Sequence, residues 1–97
     1  MKFTLENNTK DSIINLMRSL GYKFLSRENE QMSFIKQLDR SFYPRFHVYL
    51  KEENNLIYYN LHLDQKKPRY QGQTAHNADY DGEVVGKEAK RIKSFFL

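Results

Sequence analysis

One stretch, residues 46–63, limits the possible folds more than any other. Phe46, Val48 and Leu50 alternate with His47, Tyr49 and Lys51, and beyond Asn54 and Asn55 the residues Ile57, Tyr59, Leu61 and Leu63 alternate with Tyr58, Asn60 and His62. A period of two marks a strand with one buried face. Two adjoining asparagines between such runs suit the positive φ angles of a two-residue type I′ turn. If they form that turn, Phe46 faces Leu63, Val48 faces Leu61 and Leu50 faces Tyr59 on one side of the hairpin. The other side then pairs His47 with His62, Tyr49 with Asn60 and Lys51 with Tyr58. A slip of one residue would mix the two faces, so burial fixes the register. The polar, aromatic side is expected to face water, as antiparallel sheets often leave one face wet.

The rest of the chain must cover the apolar side of this hairpin. The spacing predicts a short strand over residues 2–5, then a polar break in which Asn8 or Thr9 caps a helix. Ile13, Leu16, Met17 and Leu20 form one helical stripe, and Gly21 stands at the C-terminal cap position, so the helix is expected over residues 10–20. Residues 22–26 and 31–38 read as strands around a polar turn at 27–30, without a clean alternation to set their register. Residues 39–44 break the pattern, since Pro44 cannot donate to a central ladder. A long loop is expected over residues 64–82. A last helix follows to residue 96, with Val85, Ala89, Ile92 and Phe96 as its apolar stripe. The expected architecture is α+β: helix, antiparallel meander of three to four strands, helix, with both helices on one face of the sheet.

Composition fits a small single domain spanning residues 1–97. Apolar residues reach only 39%, but seven Phe and seven Tyr supply large buried areas. Without cysteine there is neither a disulfide framework nor a thiolate metal site. No run nears the roughly 18 apolar residues of a membrane span, and the opening residues lack the apolar core of a signal peptide. The expected setting is the cytoplasm, with no membrane partner. A net charge of +4 favours polyanionic partners.

The stretch Ile13 to Leu25, IINLMRSLGYKFL, resembles the opening of HicA-type toxins, which cleave mRNA: a helix, a glycine, an aromatic, then a strand. Gly86, Lys87, Glu88, Ala89, Lys90 and Arg91 resemble the last-helix motif with which double-stranded-RNA-binding domains hold phosphates. The resemblance is mainly one of topology, and it implies Lys87, Lys90 and Arg91 as phosphate contacts. The catalytic histidine of HicA proteins has no counterpart at Asn29, Glu30, Gln31 and Met32. The Gly-Pro-x-His loop of the RNA-binding family has its nearest equivalent in Pro44, Arg45, Phe46 and His47, without the glycine.

Two constellations carry chemistry. His47 and His62, with Cβ atoms expected roughly 5 Å apart, can share a zinc ion with Asp64, His76, Asp79 or Asp81 completing the shell. They can equally act as acid and base on a phosphodiester. Lys66, Lys67 and Arg69 lie just beyond the second strand, where they can follow a phosphate backbone beside a stacking tyrosine. No Gly-rich phosphate loop, nucleophile elbow or Walker-type lysine is present. The leading expectation is a non-catalytic module for RNA or another nucleic acid that needs no cofactor. It would use His47, Tyr49, Lys51, Tyr58, Asn60 and His62 together with the loop and helix cations. The alternatives are a metal-dependent or two-histidine phosphodiester hydrolase, and a homodimeric interaction domain that buries the tyrosine face.

Overall fold

The computed structural model describes residues 1–65, 78–79 and 81–96. Its elements run β1 (Lys2–Glu6), α1 (Ile13–Ser19), β2 (Lys23–Glu28), β3 (Gln31–Gln37), β4 (Arg45–Glu53), β5 (Leu56–Asp64), β6 (Ala78–Asp79) and α2 (Glu83–Phe95). The strands form one antiparallel sheet in the order β1-β5-β4-β3-β2, with the two-residue β6 also pairing with β5. The fold is α+β, as expected. Four strands, β2 to β5, make the meander, and β1 adds an edge beside β5. The expected 64–82 loop is interrupted, because Ala78 and Asp79 pair with Asp64 and Leu63.

The β4–β5 hairpin has the register that the alternation dictates. Phe46 pairs with Leu63, Val48 with Leu61 and Leu50 with Tyr59, and on the other face His47 pairs with His62. Asn54 and Asn55 take φ values of 53° and 66°, the left-handed conformation asparagine tolerates better than most residues. Asn29 and Glu30 make the same kind of turn between β2 and β3. The register of β2 against β3 shifts between Phe24 and Ser26, and Leu25 is the bulged residue.

Both helices pack on the inner face of the sheet. Ile13 and Met17 of α1 and Val85, Ala89 and Ile92 of α2 share one core with Phe34, Val48, Leu50, Ile57, Tyr59 and Leu61. The first helix is shorter than its stripe suggests. Its N-cap is Ser12, whose hydroxyl accepts from the Asn15 amide at 3.2 Å. The polar residues ahead of it bond among themselves instead: the Asn7 carboxamide accepts from the Thr9 amide, and the Thr9 hydroxyl from the Asp11 amide. At the other end the Tyr22 amide donates to Met17 and the Gly21 amide to Arg18, closing a Schellman motif. Gly21 has φ +95°, a conformation that disfavours any side chain.

The two helices are also tied by a buried polar cluster. Glu88 is 5% exposed and accepts from the Tyr22 hydroxyl at 2.5 Å and from Arg91 at 2.7 and 2.9 Å. Arg91 also donates to the Leu20 carbonyl at 2.8 Å, covering the end of α1. Burial, together with the Glu88 charge, pushes the Tyr22 hydroxyl pKa far above the ordinary phenol range, so Tyr22 remains the donor. Among the described residues no helix is long and apolar enough to cross a membrane.

Candidate functional site

The outer face of the sheet has two unlike halves. Toward the start of β4 and the end of β5, polar side chains are buried. Arg45, His47 and His62 are 9%, 8% and 7% exposed. Ile35, paired with His47, and Ser33, paired with Tyr49, are buried beside them. The expectation that this whole face is wet is therefore corrected for its histidine end. Burial is offset there because Arg45, His47 and His62 each turn one nitrogen to a shared carboxylate. Asp64 is the hub: its Oδ2 accepts from Arg45 Nε at 3.1 Å and lies 3.3 Å from His47 Nδ1, while its Oδ1 lies 3.0 Å from His62 Nε2.

The cluster follows from register. Arg45 pairs with Asp64 and His47 with His62, so four polar residues on neighbouring strands share one face. The guanidinium of Arg45 is held over the rings of Phe42 and Tyr43 at 4.4 and 4.8 Å. Burial alone pushes the Asp64 carboxyl pKa up. Hydrogen bonds from His47, His62 and Arg45 outweigh it and hold the carboxyl well below the usual carboxylate range. Asp64 is therefore an anion, and each imidazole turns one nitrogen toward it. The far nitrogen of His47, Nε2, is buried and meets no hydrogen-bond partner among the described residues. A ligand atom of each of His47, His62 and Asp64 lies within 4.8 Å of the other two.

Toward the hairpin turn the same face opens to solvent. Tyr49 is 37% and Tyr58 43% exposed. Together with Lys2, Lys51, Asn60 and Gln31 they line an open hollow of about 220 Å³. Lys51 also lies 3.9 Å from Glu53, a loose exposed pair. Tyr49 joins the two halves, with its ring 4.6 Å from that of His47 and 6.0 Å from that of His62.

The sequence-derived candidates thus separate. His47, Tyr49, Lys51, Tyr58, Asn60 and His62 share the outer face. Lys87 and Lys90 are exposed on α2, which packs against the opposite face, so the sheet lies between them and the hollow. Lys87 is 3.9 Å from Glu83, and the guanidinium of Arg91 is engaged by Glu88 and Leu20. Of the metal candidates, His47, His62 and Asp64 converge. Asp81 is exposed, with its carboxylate 4.0 Å from the Met1 ammonium, and is not part of that group. Asp79 is described only through its backbone pairing with Leu63. Lys66, Lys67, Arg69 and His76 lie outside the described residues.

Sequence reading missed Arg45, Lys2 and Gln31. For Arg45 the signal was present, since one more step along the hairpin register pairs it with Asp64. For Lys2 it was absent, because nothing in residues 2–5 names their partner strand. No protein-family model, no curated protein and no solved structure matches this chain.

Proposed function

We propose that the protein is a non-catalytic binding module for nucleic acid, RNA first, and that the open half of the outer sheet face takes a base and its phosphate. One observation carries this reading: Lys2 and Lys51 gather with Tyr49, Tyr58 and Asn60 around a single hollow. Tyrosine rings offer stacking to any base, the lysines attract phosphate, and the amide reads hydrogen-bonding edges. The net charge of +4 favours approach of a polyanion. Lys66, Lys67 and Arg69, which follow β5 closely in sequence, add three further cations to the chain.

The test is fluorescence anisotropy with labelled single-stranded RNA over a salt series. Neutralising Lys2 or Lys51 is expected to lower the salt slope by about 0.7 each. Tyr58→Ala is expected to weaken binding by about 1–3 kcal/mol. Equal affinity for the wild type and all three variants sinks the reading.

A second reading, a two-histidine phosphodiester hydrolase, is favoured by the fixed pairing of His47 with Asp64, the arrangement that orients a general base. Cleavage of the same RNA, lost in His47→Gln, would select it over simple binding. Light scattering on the same samples reports whether the tyrosine face is instead covered by a second copy.

A further inference from the structure

We propose that His47, His62 and Asp64 form a binding site for one zinc-class divalent cation, with His47 Nδ1, His62 Nε2 and Asp64 Oδ1 as the three protein ligands. The site is distinct from the open hollow and independent of the nucleic-acid reading.

Spacing is the first argument. Zinc holds nitrogen and oxygen ligands at roughly 2.0–2.2 Å in a tetrahedron, which sets neighbouring ligand atoms about 3.3 Å apart. His62 Nε2 lies 3.0 Å from Asp64 Oδ1, His47 Nδ1 meets the other oxygen of the same carboxylate, and a ligand atom from each residue falls within 4.8 Å of the others. Small side-chain rotations bring three such atoms onto one ion. Ligand type is the second argument. Two imidazoles and one carboxylate suit zinc, whereas magnesium and calcium ask for oxygen shells.

The support around the ligands is the third. Arg45 holds Asp64 through Oδ2 and leaves Oδ1 to the ion, and the Phe42 and Tyr43 rings hold Arg45 in turn. Such outer partners fix the direction of a metal ligand. The two histidines are a cross-strand pair within a rigid hairpin, not residues on a loop. The same features set the costs. Binding through Nδ1 moves the His47 proton to its buried Nε2. Zinc with Asp64 and Arg45 also leaves two positive charges in a largely buried place. The fourth position is therefore suited to an anion such as hydroxide.

The experiment uses the full chain purified without a histidine tag and freed of metal with chelator. Zinc titration by calorimetry is expected to give one ion per chain, and cobalt in its place the intense visible bands of four-coordination. Asp64→Asn is expected to cut affinity by more than the roughly 10–100-fold that loss of an outer partner costs. Because that variant can unfold, His62→Gln is measured beside it, and zinc is titrated into wild-type protein by imidazole NMR, where the shifts are expected at His47 and His62. No binding by the wild type overturns the proposal. So does binding that both substitutions leave unaltered, and so do shifts confined to other residues.

Discussion

Two ends of one sheet face solve the same problem in opposite ways. Both carry polar side chains on β4 and β5. Near the hairpin turn, Tyr49 and Tyr58 are exposed and Lys51 pairs only loosely with Glu53. Near Asp64, Arg45, His47 and His62 lose water and are held by one carboxylate. The lesson is that residue type does not set exposure on a sheet. A buried polar group is tolerated when its partners lie on adjacent strands in register, because an unmade hydrogen bond in the interior costs more than a made one gains.

The sharpest way to break this contrast is to remove the hub. Asp64→Ala should cost about 3–5 kcal/mol, since it leaves the Arg45 charge buried without its acceptor. Urea denaturation measures it, and a loss under about 1 kcal/mol would mean that water reaches the cluster. Leu61→Ala, on the inner face beneath both ends, should cost about 2–5 kcal/mol, because Leu61 is fully buried. A near-neutral result would invert the face assignment and the contrast with it.

Acid should act on the Asp64 end. The Asp64 carboxyl titrates below its ordinary value near 3.8 in the fold. The unfolded chain therefore takes up the proton first as pH falls. The stabilisation from Asp64 is fully present above that value and is lost as pH drops through it toward the folded pKa. The slope it adds is at most about 1.4 kcal/mol per pH unit. Denaturation midpoints from pH 5 to 2, with chelator present, should show a slope that Asp64→Asn reduces. The smallest effects belong to the open end, where Lys51→Ala and Tyr58→Ala should each change stability by less than about 0.5 kcal/mol. A larger loss from Tyr58→Ala would show that the hollow is packed, not open.

Much of this was legible in the sequence because one face is apolar. That alone fixed the β4–β5 register and hence the side-by-side histidines. The same register carried the Arg45 and Asp64 pair, but polar identity suggested a wet face and drew attention from it. The N-cap was harder to read. Asn7, Asn8, Thr9 and Ser12 are all good capping residues, and only the local turns at Asn7 and Thr9 leave Ser12 to cap the helix. The β2–β3 pairing was illegible because the bulge at Leu25 breaks the alternation that would have announced it. The Glu88 cluster depends on Tyr22 and Leu20 meeting α2 in space, which no local pattern encodes.

The position of β1 has a kinetic consequence. The chain leaves β1, crosses the sheet through α1 and returns through β2, β3 and β4 before β5 offers β1 its partner, so that Lys2 pairs with Asn60. The meander from β2 to β5 closes only short loops, whereas the β1 edge must wait for nearly the whole meander and meets a larger closure entropy. Folding is then ordered by topology, with the hairpins early and the β1 edge late. Shortening an apolar side chain such as Leu5 should chiefly speed unfolding, and shortening Val48 in the central hairpin should chiefly slow folding. Lys2, which lines the hollow, sits on the strand that docks last. The open face would be complete only when the fold is.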